Sequence, residues 1–365
     1  MLNRRALLAA PLAALVPGAA RAKGSRSFHL GTSRWPPAAT FEALAMVDAF
    51  LRDHCDMASP MVLGGVPWTE AANNTDFSTT LMEELQWAAP SGHPVCLSLG
   101  ALDTLRQNLA PWYADQDNQP LPPEFDGRAF DDPRVIDAYG AFCVRAARTM
   151  KPDWLIIGVE VNILLHSSPD KWPAYVALHQ ATVARLRRDL PEQKIGISIA
   201  ALHYLGLSDG ADAGVQAREM RALAGSVDLV GWSVYPHTSW DVHFPIAPEF
   251  FDFITQFAAD TGTRTAVTES GMTARRVWIN WLPLWGSPEG QAQVMAALLE
   301  AASRGGWEFV VNWASHDYPD LLELFPPDVR ELGEIWVWTG LRDPKGQAKP
   351  VMALWDQALA RAFVR

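Results

Sequence analysis

Two glutamates, Glu160 and Glu269, each close a short apolar run, and carboxylates so placed invite acid–base or nucleophilic chemistry. The first run, Asp153-Trp-Leu-Ile-Ile-Gly-Val-Glu-Val-Asn162, reads as a buried strand that delivers a carboxylate and then an amide. The second, Thr263-Arg-Thr-Ala-Val-Thr-Glu-Ser-Gly271, repeats the form. An ionised Glu among apolar residues is costly unless partners compensate, so its place at a strand tip needs a reason.

Two carboxyls on separate strands suit hydrolysis of a glycosidic bond. One protonates the leaving oxygen while the other attacks or activates water. Neighbouring groups split the two pKa values so that each keeps its role. Other strand ends would line the same site: Arg34 and Trp35, Trp68, Asn162, His203, Tyr235 with His237, and Trp313 with His316. Indole faces stack on the apolar faces of sugar rings. Most of the 16 tryptophans are expected in the core or as surface filler, but Trp35, Trp68, Trp240 and Trp313 fall on loops or strand ends. Trp278, Trp281 and Trp285, after Glu269, either line a substrate groove or pin down a long loop.

The elements that must hold these residues alternate. Strand patterns at residues 27–34, 57–67, 94–99, 154–162, 194–200, 227–235, 265–268 and 307–313 are each followed by a helical period. The helices are read at 41–52, 78–89, 134–150, 172–189, 213–223, 250–260, 290–303 and 351–363. Eight strand-then-helix units with no break in composition predict one α/β domain, a single (β/α)8 TIM barrel over residues 23–365. A doubly wound open sheet is the rival, but no Gly-rich fingerprint follows any strand. The stretch 107–133, rich in Pro, Asp and aromatics, is too long for a plain connector and is read as a loop over the site.

Composition narrows the partners. The chain has 365 residues, 49% hydrophobic and 19% charged, with 30 basic against 41 acidic residues for a net charge of −11. No Lys/Arg-rich run follows the leader, which argues against nucleic acid and gives a membrane surface no support. Residues 1–22 carry Asn3-Arg4-Arg5, an apolar run and Ala20-Arg21-Ala22, the form of a bacterial export signal with a hint of the twin-arginine route. The expected destination is the periplasm or the outside of the cell. Cys55, Cys96 and Cys143 are odd in number and lack C-x-x-C spacing, so one disulfide of unspecified pairing is compatible with export. No metal or cofactor is expected: paired His after the first strand, which a metal-dependent hydrolase would want, is absent at His29-Leu-Gly31.

The chain resembles the clan A glycoside hydrolases, whose barrel carries an acid/base Glu after the fourth strand and a nucleophilic Glu after the seventh. Glu160 and Glu269 occupy those places in the strand count. Asp228-Leu-Val-Gly-Trp-Ser-Val-Tyr-Pro236 is similar to the sixth-strand motif of the family 53 arabinogalactan endo-β-1,4-galactanases, and Val267-Thr-Glu-Ser-Gly271 to their seventh-strand segment. Gly340-Leu-Arg-Asp-Pro-Lys-Gly-Gln-Ala-Lys-Pro350 resembles the closing segment of several clan members, and the likeness covers roughly residues 151–355. It implies a retaining β-glycoside hydrolase acting on a carbohydrate, with Tyr235 bonded to the nucleophile and Trp313 flooring the subsite of cleavage. One departure stands out: the clan places Asn directly before the acid/base Glu, and this chain has Val159. Alternation would put Asn162 on the face of Glu160 and let it supply an amide from another direction. Val159 also motivates a second reading, a glycan-binding barrel that has lost efficient hydrolysis. A third, a transglycosylase, uses the same covalent intermediate.

Overall fold

The computed structural model describes residues 24–279, 282–325 and 327–364; the leader read over residues 1–22 and Trp281 lie outside them. Eight parallel strands form the centre. They are His29–Thr32, Met57–Ala58 continued by Met61–Val62, Cys96–Leu99, Trp154–Ile156, Lys194–Ala200, Leu229–Val234, Arg264–Ser270 and Phe309–Asn312. Each pairs with its sequence neighbours, and the eighth pairs with the first through Phe309↔His29 to Asn312↔Thr32. The second strand breaks at Ser59 and Pro60, where proline has no N–H to give a ladder. Its first half pairs with the first strand and its second half with the third, and the Pro60 carbonyl still accepts from Ser98 N at 3.1 Å. The sheet therefore closes into a (β/α)8 barrel.

Helices Phe41–His54, Thr79–Leu85, Pro133–Met150, Trp172–Asp189, Ala213–Ala224, Asp252–Thr261, Pro288–Gly305 and Pro350–Leu359 follow the strands in turn. Several start where a side chain can take an orphaned backbone N–H: Thr40 accepts from Ala43, Ser78 from Leu81, Asp132 from Arg134, Asp212 from Gly214 and Ser287 from Gly290.

Alternation along the strands sorts the apolar side chains into two cores. Met57, Cys96, Trp154, Ile156, Leu229, Ala266, Phe309 and Val311 form a cluster of their own, the barrel interior. Leu30, Leu97, Leu155, Ile195, Val230, Val267 and Val310 face outward into the larger cluster shared with the helices. Followed to the strand tips, the inward series runs on to Ser233, Tyr235 and Trp313.

Several sequence expectations need correction. The fourth strand ends at Ile156, well short of Asn162, and the fifth passes into a short helix, Ala201–Tyr204. A helix Trp68–Asn73 and a hairpin of Val277–Ile279 with Leu282–Leu284 were not foreseen. The last helix stops at Leu359, and Ala362–Phe363 instead pairs in parallel with Ser25–Arg26. In the loop 107–133, Tyr113, Phe125 and Phe130 are buried in the main core, and Trp112 bridges Val66 and Gln119. These aromatics dock the loop onto the core. All three cysteines are buried and unpaired. Among the described residues no helix is long and apolar enough to cross a membrane, and no three His, Cys, Asp or Glu side chains gather as a metal-binding group.

Candidate active site

Glu269 owes its direction to an irregularity in the sheet. Ala266 points into the barrel, so strict alternation would turn residue 269 outward. Between the sixth and seventh strands, however, the register runs Trp232↔Val267 and then Ser233↔Glu269, which leaves Thr268 as an extra residue. Such bulges re-aim the side chains beside them. Gly231 makes room for this one: a Cβ there would lie 2.3 Å from Thr268 Cγ2. The outcome is a Glu269 only 7% exposed, whose Oε2 accepts a hydrogen bond from the Tyr235 hydroxyl at 3.2 Å. Burial, and after it the charge of Glu160, push its pKa up to about 8, while Arg106 and the Tyr235 hydrogen bond pull the other way.

Glu160 is positioned by quite different means. After Ile156 the chain leaves the ladder, yet its backbone groups stay paired. Ile157 N donates to Gly196 O, Ser198 N to Gly158 O, Glu160 N to Ser198 Oγ, and Val161 N to Ser198 O, at 2.8–3.1 Å. Gly158 permits this close passage, since a Cβ would lie 2.5 Å from the Tyr175 hydroxyl. Glu160 itself takes a left-handed backbone, φ 51°, which costs a non-glycine residue on the order of 1–3 kcal/mol. Its side chain, 18% exposed, is held at both oxygens: Ser233 Oγ donates to Oε1 at 2.7 Å and Arg106 Nη2 to Oε2 at 3.1 Å.

Arg106 went unremarked in the sequence, one arginine in a polar loop after the third strand. It too has a left-handed backbone, φ 57°. Its Nε donates to Val159 O at 3.1 Å, and its Nη1 to Asp103 O and Thr104 O at 3.0 and 3.1 Å. With Glu160 that makes a guanidinium fixed by four acceptors. Ser233 was likewise missed as a site residue, although it lies inside the sixth-strand motif.

An aromatic wall flanks Glu269. Trp313 donates from Nε1 to the Tyr318 hydroxyl at 2.9 Å and packs 5.3 Å from Trp35, ring centre to ring centre. Tyr235 and Trp313 share one apolar cluster with Trp35, Tyr318 and Trp336. The Trp35 Nε1 is buried without a hydrogen-bond partner, an orphaned donor in this wall. His203 lies within the field of Glu160, with Nε2 3.3 Å from Asp209 and its ring 5.7 Å from that of His166. Burial lowers its pKa more than the two carboxylates raise it.

Other expected site residues lie elsewhere. Trp68 is fully buried, bonded from Nε1 to Ala110 O and packed on Phe125 and Tyr139, so it has no face for a sugar. Asn162 does not share a face with Glu160, because no strand connects them. It opens the helix Asn162–Ser167, fully buried, and spends its amide on Ala200 N, Ala200 O and Gln216. Arg34 makes a two-pronged ion pair with Asp48 on the first helix and lies over Trp87. His237 sits behind Tyr235, its Nε2 3.0 Å from the Ile335 carbonyl, and burial pulls its pKa down to about 4. His316 is buried beside Ser315 and Phe50. Trp240, Trp278 and Trp285 are more than half exposed, with Arg276 over the Trp285 ring.

No family model matches the chain, and neither does any curated protein. Solved structures do match in fold. The exo-β-1,4-mannosidase Op5Man5 from Opitutaceae bacterium strain TAV5 has a TM-score of 0.62 at 16% identity, covering 92% of this chain; this chain spans only 60% of that one. The glycoside hydrolase family 53 catalytic domain of Ignisphaera aggregans gives 0.56 at 18% identity, over 86% of this chain and 88% of its own. A family 5 glycoside hydrolase variant of Streptomyces cattleya, in complex with Manβ1-4GlcNAc, gives 0.63 at 15% identity, over 92% and 79%. At these identities the likeness is one of fold, and the fold is the (β/α)8 TIM barrel.

Proposed function

We propose that the chain is an exported, retaining β-glycoside hydrolase acting on a β-linked poly- or oligosaccharide. The observation that carries this reading is the convergence of two strand-end glutamates within each other's field, one buried beneath Tyr235 and the other held by Arg106 and Ser233. Glu269 attacks the anomeric carbon while Glu160 protonates the leaving oxygen. Glu160 then takes a proton from water, which releases the sugar with its configuration retained. Tyr235 orients the nucleophile, and Trp313 with Trp35 offers an apolar floor for a sugar ring. Neither step calls for a metal or cofactor. The basic-then-apolar leader supports export. Fold neighbours that include a β-mannosidase and a glycoside hydrolase holding a β-linked disaccharide support the substrate class.

The test is sugar release from a panel of β-linked polysaccharides, wild type beside Glu269→Gln, with the anomeric form of the product read by proton NMR. Release with retention that collapses in the variant is expected. Undiminished release by Glu269→Gln overturns the assignment.

A specific observation favours a second reading, a glycan-binding barrel with weakened catalysis. The Val159 side chain is buried in the barrel interior, and the Asn162 amide is fully engaged with the fifth strand and Gln216, so neither offers a sugar the amide that the resemblance leads one to expect. Sugar binding that survives Glu269→Gln, with no turnover by the wild type, would select it.

A further inference from the structure

An indole carries a large apolar face, and several such faces left together in water mark a place where something binds. Among the described residues three tryptophans are mostly exposed, and they lie together. Trp278 and Trp285, 56% and 62% exposed, belong to the hairpin after the seventh strand, and Trp240, 61% exposed, comes from the loop after the sixth. Alternation accounts for the first two. Val277 and Leu284 pair across the hairpin and are buried, so Trp278, its partner Pro283 and then Trp285 face the other way. Trp240 joins them, its Nε1 3.5 Å from the Pro283 carbonyl. The base of the hairpin is closely packed, since a Cβ on Gly286 would lie 2.4 Å from the Thr273 carbonyl oxygen.

Two consecutive arginines run beside this patch. Arg276 lies over the Trp285 ring at 4.0 Å and the Trp278 ring at 5.8 Å, and Arg275 lies over the Trp338 ring at 4.1 Å. Trp338 in turn packs on the apolar cluster that holds Tyr235 and Trp313. Both arginines are exposed, and among the described residues neither has a carboxylate partner. A guanidinium laid on an indole keeps its N–H edge free, and that edge matches a carboxylate through two parallel hydrogen bonds. A chain of net charge −11 repels an acidic glycan at long range, so two unpaired guanidinia at the mouth of the barrel supply the local attraction such a glycan needs.

Resting on the hydrolase reading, we propose that Arg275 and Arg276, with Trp240, Trp278 and Trp285, form a subsite on the rim of the barrel for a uronate residue, so that the glycan this site takes is an acidic one. A sugar ring lies against an exposed indole while its C6 carboxylate takes the N–H edge of a guanidinium beside it. Both arginines follow soon after the strand of Glu269, and Arg275 meets the aromatic wall through Trp338. The subsite is therefore continuous with the place where the bond breaks, yet outside it. It selects the substrate by charge without touching the reacting atoms. Exposed charge pairs are screened, so the preference for a uronate should fade as salt is added, whereas stacking on the indoles should persist.

The test is calorimetric binding to full-length Glu269→Gln protein, which holds the ligand without turnover. The probes are β-1,4-linked hexamers of mannuronate and of glucuronate beside mannohexaose and cellohexaose, which differ from them only at C6. At low salt at least one uronate hexamer should bind about 10-fold tighter than its neutral counterpart, the lower end of what hydrogen bonds to a charged group contribute. Adding Arg275→Gln and Arg276→Gln together should abolish that preference and leave the neutral hexamer little changed. Trp285→Ala should weaken both hexamers alike. Equal affinity within each pair, a preference that survives the double substitution, or no binding of any hexamer overturns the proposal. If the double variant does not fold, salt decides: a preference that added salt leaves unchanged overturns it too. Sugar release is measured separately on the wild type. A uronate preference without release from any substrate would sink the hydrolase reading and leave the subsite standing, whereas release from neutral polysaccharides with no uronate preference would do the opposite.

Discussion

The surroundings of Glu269 and Glu160 solve the same problem, a carboxyl at the mouth of a barrel, by opposite routes. Glu269 rides on a strand, is re-aimed by one extra residue at Thr268, and is buried beside the Tyr235 hydroxyl, a burial that raises its pKa. Glu160 stands beyond the end of its strand, in a left-handed turn, with the Arg106 guanidinium on one oxygen and the Ser233 hydroxyl on the other. The contrast teaches that on a strand one extra residue and a single hydroxyl suffice to aim and hold a side chain. A carboxyl beyond the end of its strand is held by partners brought from a loop and a neighbouring strand, and the backbone accepts strain to reach them.

The sharpest way to break this comparison is to remove each carboxyl and vary the leaving group. Glu160→Gln should lose about 10²–10⁴-fold in kcat/KM, the usual worth of general acid catalysis, and recover much of it on aryl glycosides whose leaving group needs no proton. Glu269→Gln should lose activity on both substrates. Equal behaviour of the two variants in steady-state assays would erase the distinction between them.

Stability against pH separates the two sites next. The pKa of Glu269 is raised above its unfolded value by burial. The native state therefore holds a proton that the unfolded chain releases, and the stability this contributes is fully present below the unfolded pKa, about 4.3, and lost as pH rises through about 8. Glu269→Gln should flatten that decline and exceed the wild type in stability above pH 8, by on the order of a few kcal/mol, which appears as a higher melting temperature there. A parallel pair of melting curves across pH 5–9 would show that Glu269 is not the group responsible. The alkaline limb of activity should fall near the same pH, because the pair then loses its last proton whichever carboxyl holds it.

The smallest effect concerns the scaffold behind Glu160. Asn162→Ala leaves buried groups on Ala200 and Gln216 without partners, and should cost about 1–3 kcal/mol in chemical denaturation. Turnover should change little. A large loss of turnover with unchanged stability would return Asn162 to the site.

Much of the fold was legible because it depends on local period. The helix Trp172–Asp189 and the strand Lys194–Ala200 have the bounds read from the sequence, and Thr40 caps the first helix as expected. The glutamates were legible because a carboxylate at the end of an apolar run is conspicuous in one dimension. What escaped was tertiary. Nothing near Arg106 signals that it will reach across 54 positions to Glu160. Trp68 looks like a strand-end aromatic until the loop 107–133 folds over it. The strand pattern ran on to Asn162 because Val159 and Val161 keep the apolar rhythm, yet Gly158 and the left-handed Glu160 end the strand early, and period alone does not register either.

The short parallel pairing of Ser25–Arg26 with Ala362–Phe363 has a mechanical consequence. It precedes the first strand and so lies at the pole of the barrel away from the glutamates, reinforced by Val364 N to Arg26 O at 2.9 Å and by Arg26 over the Phe363 ring. In a parallel pair, tension drawing the upstream end of one segment from the downstream end of the other acts in shear, loading the bonds of the seam together and not one after another. A tether attached at either end therefore pulls first on this clasp, and the mouth of the barrel is shielded from the load.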